Sequence, residues 1–176
     1  PAKPVPTRAR DRAIARAPGY GAGDGRTVEV TSEELEGGVV VLRVKGHLDS
    51  SSAGELEGIL ESVYEYGYRK IIVDLKDVTY ISSGGWGIFT GRVKLLREGE
   101  GDVVLAGMSS EVYDIYELLG FQEIIMQFSD VEAAVEYVTS PLAERKRRLE
   151  DVSRRRAALK PIEVKQASSS PGAPEL

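Results

Sequence analysis

The sequence predicts an α/β fold in which a mostly parallel sheet carries helical cover. β-Branched apolar runs recur at Val39–Val44, Ile71–Leu75 and Val103–Ala106. Segments with apolar residues at helical spacing lie between and after them, and glycines stand where those segments should stop. Strand and helix in alternation require crossover connections, which bring successive strands into parallel register.

Patterning begins at Thr27, where Val28 and Val30 alternate with Thr27, Glu29 and Thr31 as in a short strand with one wet face. Glu36-Gly37-Gly38 reads as the turn of a hairpin leading into Val39–Val44. After Gly46-His47-Leu48-Asp49, a helix sets Ala53, Leu56, Ile59, Leu60 and Val63 on one face, with capping-box spacing at Ser52 and Glu55 and a stop at Gly67. Ile71–Leu75 reads as a central strand covered on both faces, and Lys76–Gly85 as a loop. A second helix turns Phe89, Val93 and Leu96 inward and ends by Gly99 or Gly101. Val103–Ala106 is a further strand. Ser109-Ser110-Glu111 opens a helix bearing Val112, Ile115, Tyr116 and Leu119, stopped by Gly120. Glu123–Met126 is expected as a short edge strand, followed by a capping box at Ser129 and Glu132 and a helix with Val131, Ala134, Val135 and Val138.

The patterned domain spans 27–138. Residues 1–26 hold four of the eight prolines and few large apolar residues, so they are expected as a disordered basic arm. Residues 139–160 are expected as a charged basic helix, frayed or partner-dependent, in which Glu144/Arg148, Glu150/Arg154 and Asp151/Arg155 are i,i+4 pairs with the acid first. Residues 161–176 are expected as a disordered tail. The formal net charge of −5 conceals a division: +4 over 1–26, −13 over 27–143 and +4 over 144–176. An acidic body repels phosphate backbones, which argues against nucleic acid and allows a basic protein partner.

Several classes of chemistry are excluded. The chain has no Cys, so it carries no disulfide, no thiol nucleophile and no Cys-ligated metal. No apolar run is long enough to span a bilayer and no signal-peptide core is present, so a cytoplasmic protein without membrane contact is expected. The first residue is Pro rather than Met, as in a processed or excised piece. His47, the single His, reads as structural, since base catalysis requires a positioned partner. The glycine-rich Gly84-Gly85-Trp86-Gly87 lacks the Lys-Ser/Thr of a phosphate-binding loop, so no cofactor and no enzymatic activity is expected. The informative stretch is Val78–Phe89, where Ser82, Ser83, Gly84 and Gly85 meet the start of a helix. Free backbone N–H groups there favour an anion such as a phosphoryl group. Two pairs of readings stay open: Ser83 as helix cap or as regulatory site, and Trp86 as exposed anchor or as core.

From about Thr27 to Val138 the chain resembles the STAS domain of bacterial anti-sigma factor antagonists. The resemblance rests on Val40–Asp49, Ile71–Val78, the loop and helix Ile81–Arg92, and Leu118-Leu119-Gly120-Phe121. It implies a four- to five-stranded mixed sheet packed against helices. It also implies partner switching: the antagonist binds an anti-sigma factor, in many systems also its serine kinase, and so releases the sigma factor. Phosphorylation of one loop serine breaks that complex and a phosphatase restores it. The partner-binding residues implied are Asp49, Ser82, Ser83, Gly84, Gly85, Trp86 and Arg92.

The chain departs from the family where the switch is expected. The family's Asp-Ser-Ser-Gly-Leu-Gly places Ser82 on the Asp, Ser83 on the first Ser, Gly84 on the phosphoacceptor Ser and Trp86 on the Leu. Gly84 has no hydroxyl. Either Ser83, or after it Ser82, takes the phosphate, or the domain binds constitutively. Other readings are a scaffold or stressosome-like subunit, a STAS module of an anion transporter, and a small-ligand or lipid-binding protein. The oligomeric state, the sigma factor and the role of the arms are left open by the sequence.

Overall fold

The computed structural model describes residues 28–157, so the expected arm 1–26, the tail 161–176 and the last residues of the charged helix lie outside the described residues. The elements run β1 (Glu29–Leu35), β2 (Val39–Leu48), α1 (Ala53–Glu65), β3 (Lys70–Ile81), α2 (Ser83–Glu98), β4 (Asp102–Ala106), α3 (Ser110–Leu118), β5 (Gln127–Phe128), α4 (Val131–Thr139) and α5 (Leu142–Ala157). The strands form one sheet in the order β1-β2-β3-β4-β5. β1 runs antiparallel to β2, and the remaining pairs are parallel. The sheet is therefore mixed, as expected. The hairpin turns through Gly37 and Gly38, both at positive φ.

Period-two alternation sorts the strand side chains into two cores. Val40 and Leu42 of β2, Ile71 and Val73 of β3, and Val103 and Leu105 of β4 face α1, α2 and α3. Val39, Val41, Ile72, Val104 and Ala106 face the other way, against Ala134, Tyr137 and Val138 of α4. The central runs are apolar throughout because both faces are covered.

Four local expectations are corrected. The strand expected at Thr27–Thr31 continues to Leu35. Lys76–Ile81 belongs to β3 rather than to a loop, pairing Lys45 with Asp77, Gly46 with Val78 and Leu48 with Ile81 across register shifts. Beyond Leu75 only Val78 and Ile81 are buried, since α4 no longer covers the second face, and the exposed polar residues between them imitate a loop. The segment Phe121–Glu123 is a 3-10 turn and the edge strand comes later, at Gln127–Phe128. The last cap is one residue displaced: Asp130 accepts from the Ala133 amide at 2.8 Å, and Ser129 Oγ donates to Asp130.

At the N-terminal end of β4, Asp102 joins the layers. Its carboxylate accepts from Arg97 Nε of α2 at 3.1 Å and from its neighbour's amide, Val103 N, at 3.0 Å. Tyr137 Oη of α4 lies 3.5 Å away. Burial pushes the Asp102 carboxyl up, opposed by Arg97, by the Val103 amide and by Arg145. Arg145 at the start of α5 is buried, and Arg148 lies over the Tyr137 ring at 6.0 Å. Along α5, Glu144 and Arg148 pair at 2.8 Å as the sequence suggests, whereas Arg154 turns to Asp151 at i,i+3.

Burial and the nearby Asp102 charge raise the Tyr137 phenol from 10.0 to about 12. A raised folded pKa contributes stability that is complete below the unfolded value and is lost as pH rises through the folded one. The urea midpoint should therefore fall between pH 10 and about 12, and Tyr137→Phe should remove this phenol's share of the fall. Denaturation series of both proteins at stepped alkaline pH check it.

Candidate functional site

Two loops meet at the C-terminal ends of β2 and β3, the edge where open α/β sheets place their ligand sites. The first, Asp49–Ser52, leads into α1. The second is the sharp passage from Ile81 to α2. They are stitched together by the Leu48 carbonyl, which accepts the Ser82 N–H at 2.9 Å.

Asp49 organises the first loop. Its Oδ1 accepts from Ser51 Oγ at 2.6 Å, from Ser51 N at 2.8 Å and from Ser52 N at 3.2 Å. The Ser51 hydroxyl, then the Ser51 and Ser52 amides, hold its carboxyl below the usual carboxylate value. It is charged at neutral pH, and this loop loses its anion only as pH falls through that lowered pKa. The expected capping box is absent: Ser52 makes no side-chain cap bond, and its Oγ instead donates to the His47 carbonyl at 2.9 Å. His47 is structural in this sense, its ring meeting Tyr80 edge-on with centroids 6.2 Å apart. Among the described residues no group of His, Cys, Asp and Glu could hold a metal ion.

In the second loop the cap is Ser82, one residue before the expected Ser83. Its Oγ accepts from the Gly85 amide at 3.1 Å. Ser83 is thereby the first helical residue, and it is exposed. Gly85 is required by close approach, since a Cβ there would stand 2.5 Å from the Leu48 carbonyl oxygen. Gly84 is different: a Cβ there would meet only Ser50 Cβ at 3.6 Å, Ser50 Cα at 3.7 Å and Ser82 Oγ at 3.7 Å, all ordinary contacts.

Two expected partner-binding residues are placed otherwise. Trp86 is fully buried, stacked on Phe121 with centroids 4.9 Å apart and flanked by Phe89 and Tyr116. An indole in the core offers no surface anchor. Its Nε1 has no hydrogen-bond partner, a cost of roughly 1–3 kcal/mol that the ring packing offsets. Arg92 lies nine residues along α2, about 13 Å from Ser83 at 1.5 Å per residue. Its guanidinium reaches Glu57 at 3.2 Å and Glu61 at 3.5 Å, clamping α2 to α1. The structure brings Asp49, Ser82, Ser83, Gly84 and Gly85 together. It adds Ser50, which sequence reasoning missed, because only the β2–β3 register carries that residue to Gly84.

A second feature adjoins the loops. Gly84, Gly87 and Gly91 of α2, with Gly54 and Gly58 of α1, are exposed, and apart from Gly84 none has any atom within 4 Å of a notional Cβ. Both helices thus expose backbone at glycine positions near the site.

Residues 32–134 match the family model of the STAS domain. The anti-sigma-B factor antagonist of Staphylococcus aureus is 31% identical over 84 residues, 48% of this chain and 78% of that protein. An anti-sigma factor antagonist from Mycobacterium paratuberculosis has a similar fold, with TM-score 0.62 and 19% identity over 68% of this chain and 100% of the other. A sulfate transporter family protein from Wolinella succinogenes has TM-score 0.54 and 21% identity over 64% and 93%, so the fold alone does not separate the two settings.

The two glycines should respond in opposite ways to a side chain. Gly85→Ala forces a methyl onto a backbone carbonyl and should lower stability by about 1–3 kcal/mol. Gly84→Ser should change it by less than about 1 kcal/mol, since serine is the better helix residue and the space exists. Chemical denaturation of both variants gives the comparison.

Proposed function

The chain belongs to the STAS domain family, and from that membership we propose that it is an anti-sigma factor antagonist acting by partner switching. Its work is binding rather than catalysis: it engages an anti-sigma factor in the cytoplasm through the first turns of α2 and the Asp49–Ser51 loop. The observation that carries this reading is the glycine-lined outer face of α1 and α2 beside those loops. An exposed helical glycine costs about 0.5–1 kcal/mol relative to alanine. Four of them, Gly54, Gly58, Gly87 and Gly91, face open space among the described residues, and a bare helix surface lets a partner's backbone approach closely.

A switch at this loop needs a hydroxyl, and Ser82 is committed as the cap. Ser83 is the better acceptor, exposed at the helix start where the free N–H groups stabilise a phosphate. The phosphate would add about −1.5 to −2 charges on the binding face. It would put bulk and charge at the point of closest approach without unfolding the helix beneath. The anti-sigma factor is taken to be the kinase as well, and a phosphatase reverses the step.

Two measurements with the cognate anti-sigma factor test this reading. Gly87→Arg, placed in open space, should raise stability by up to about 1 kcal/mol, because arginine is the better helix residue, and weaken binding at least tenfold by calorimetry. Unchanged affinity would remove the glycine face from the interface. Ser83→Asp should weaken binding similarly, and mass spectrometry after incubation with ATP should place phosphate on Ser83. Phosphate on Ser50 instead would move the switch to the neighbouring loop, and no phosphate on either would make binding constitutive.

A further inference from the structure

Helix α3 presents a face that nothing in the described residues covers. Leu118 keeps 79% of its surface exposed, and Ile115, Leu119 and Ile124 are exposed beside it. Glu111, Asp114 and Ile115 share a face with Leu118 at helical spacing, so the apolar strip is edged with carboxylates. No cation among the described residues pairs with Glu111, Asp114 or Glu117. The wider segment answers none of this charge either: between Arg97 and Arg145 the sequence has no Lys, Arg or His and eleven Asp or Glu. The acids of α1 differ, because Arg92 lies between Glu57 and Glu61.

A face that is acidic and apolar fits a segment that is basic with spaced apolar residues. The chain carries one. Residues 1–26 hold six basic and two acidic residues, among them Arg8, Arg10, Arg12 and Arg16, with Val5, Ile14 and Tyr20 as apolar side chains. The C-terminal segment 158–176 does not match, since its two basic and two acidic residues cancel. The start of the basic helix α5 is engaged away from α3, with Arg145 buried and Arg148 paired with Glu144 and lying over the Tyr137 ring. Reach is sufficient: the sheet is about 20 Å wide at ~4.8 Å per strand. The fourteen residues from Ile14 to Thr27 can span about 45 Å.

We propose that the basic segment 1–26 docks on the α3 face of its own chain, arginines against Glu111, Asp114 and Glu117 and apolar side chains against Ile115, Leu118 and Leu119. The 3-10 turn after α3 supplies Phe121, which stacks on Trp86 in the first turns of α2. An occupied α3 face therefore adjoins the proposed binding helix.

The chain has no cysteine, so Ala13→Cys offers one attachment point for a nitroxide. In the full chain at about 0.02 M salt, the amide signals of Ile115, Leu118 and Ile124 should lose more than half their intensity to the label. They should recover at about 1 M salt, where screening is complete beyond ~3 Å. The exposed double variant Asp114→Lys/Glu117→Lys should abolish the loss. Should that variant misfold by circular dichroism, the salt dependence of the native face decides alone. Three results would overturn the proposal: no signal loss on α3, loss spread evenly over the surface, or loss that appears equally when labelled unenriched chain is mixed with unlabelled isotope-enriched chain. The last would identify a second copy as the occupant.

Discussion

The candidate site depends on one carbonyl. The Leu48 oxygen at the end of β2 accepts the Ser82 amide and lies against the α-carbon of Gly85, so it fixes both the end of β3 and the first turn of α2. That placement requires Leu48 to stand level with Ile81, and the register shifts between Arg43 and His47 deliver it there. Gly46, at a φ of 104°, is the residue that lets β2 bend through them. A bulge inside the sheet, just before the Asp49 loop, therefore decides which serines and glycines come together. The site is made of backbone and small side chains, a construction suited to contact rather than to proton transfer.

What could be read from the sequence follows from how many faces of an element are buried. Val39–Val44, Ile71–Leu75 and Val103–Ala106 announce themselves because a strand covered twice must be apolar at every position. The second half of β3 is covered once and carries bulges, so its inward residues Leu75, Val78 and Ile81 recur every third position, a period that belongs to no regular strand. Caps were legible as a class and misplaced by one residue at both Ser82 and Asp130, since adjacent polar residues compete for the same amides and only the loop geometry chooses between them. Trp86 replaces a leucine of the family pattern and stays in the core as leucine would, its extra volume taken up by Phe121 and Tyr116. The engagement of Arg92 with Glu57 and Glu61, 35 and 31 residues away, is tertiary and leaves no local trace.

The two ends of the sheet are built on different principles. At the N-terminal end, Asp102 ties α2 and α4 to the sheet through Arg97 and Tyr137, an arrangement in which loss of Arg97 would strand a buried carboxylate. At the C-terminal end, α1 and α2 carry exposed glycines that weaken their own helices. The ion pair of the buried Asp102 with Arg97 lies at the end of the sheet away from the candidate site. α2 is held at its far end by Arg97 and at mid-length by Arg92, so its first turns can lack side chains and still keep their direction.

That division bears on how a charge at Ser83 would act. A phosphate at the first position of a helix meets unpaired amides and the positive end of the dipole, so locally it stabilises the turn that bears it. Ser82 already supplies one cap and the Leu48 carbonyl holds the backbone, so no element is poised to move. The change lies wholly in the field above the surface. The domain already carries −13 over residues 27–143, and Arg92, further along α2, is occupied by Glu57 and Glu61, so it would not neutralise an added anion. A partner that tolerates the unmodified face because it is bare would meet an anion at the point of closest approach. On the proposed reading, a glycine-lined interface is what would make a single phosphate decisive, since a surface crowded with long side chains would hold the partner's backbone too far away for one charge to matter.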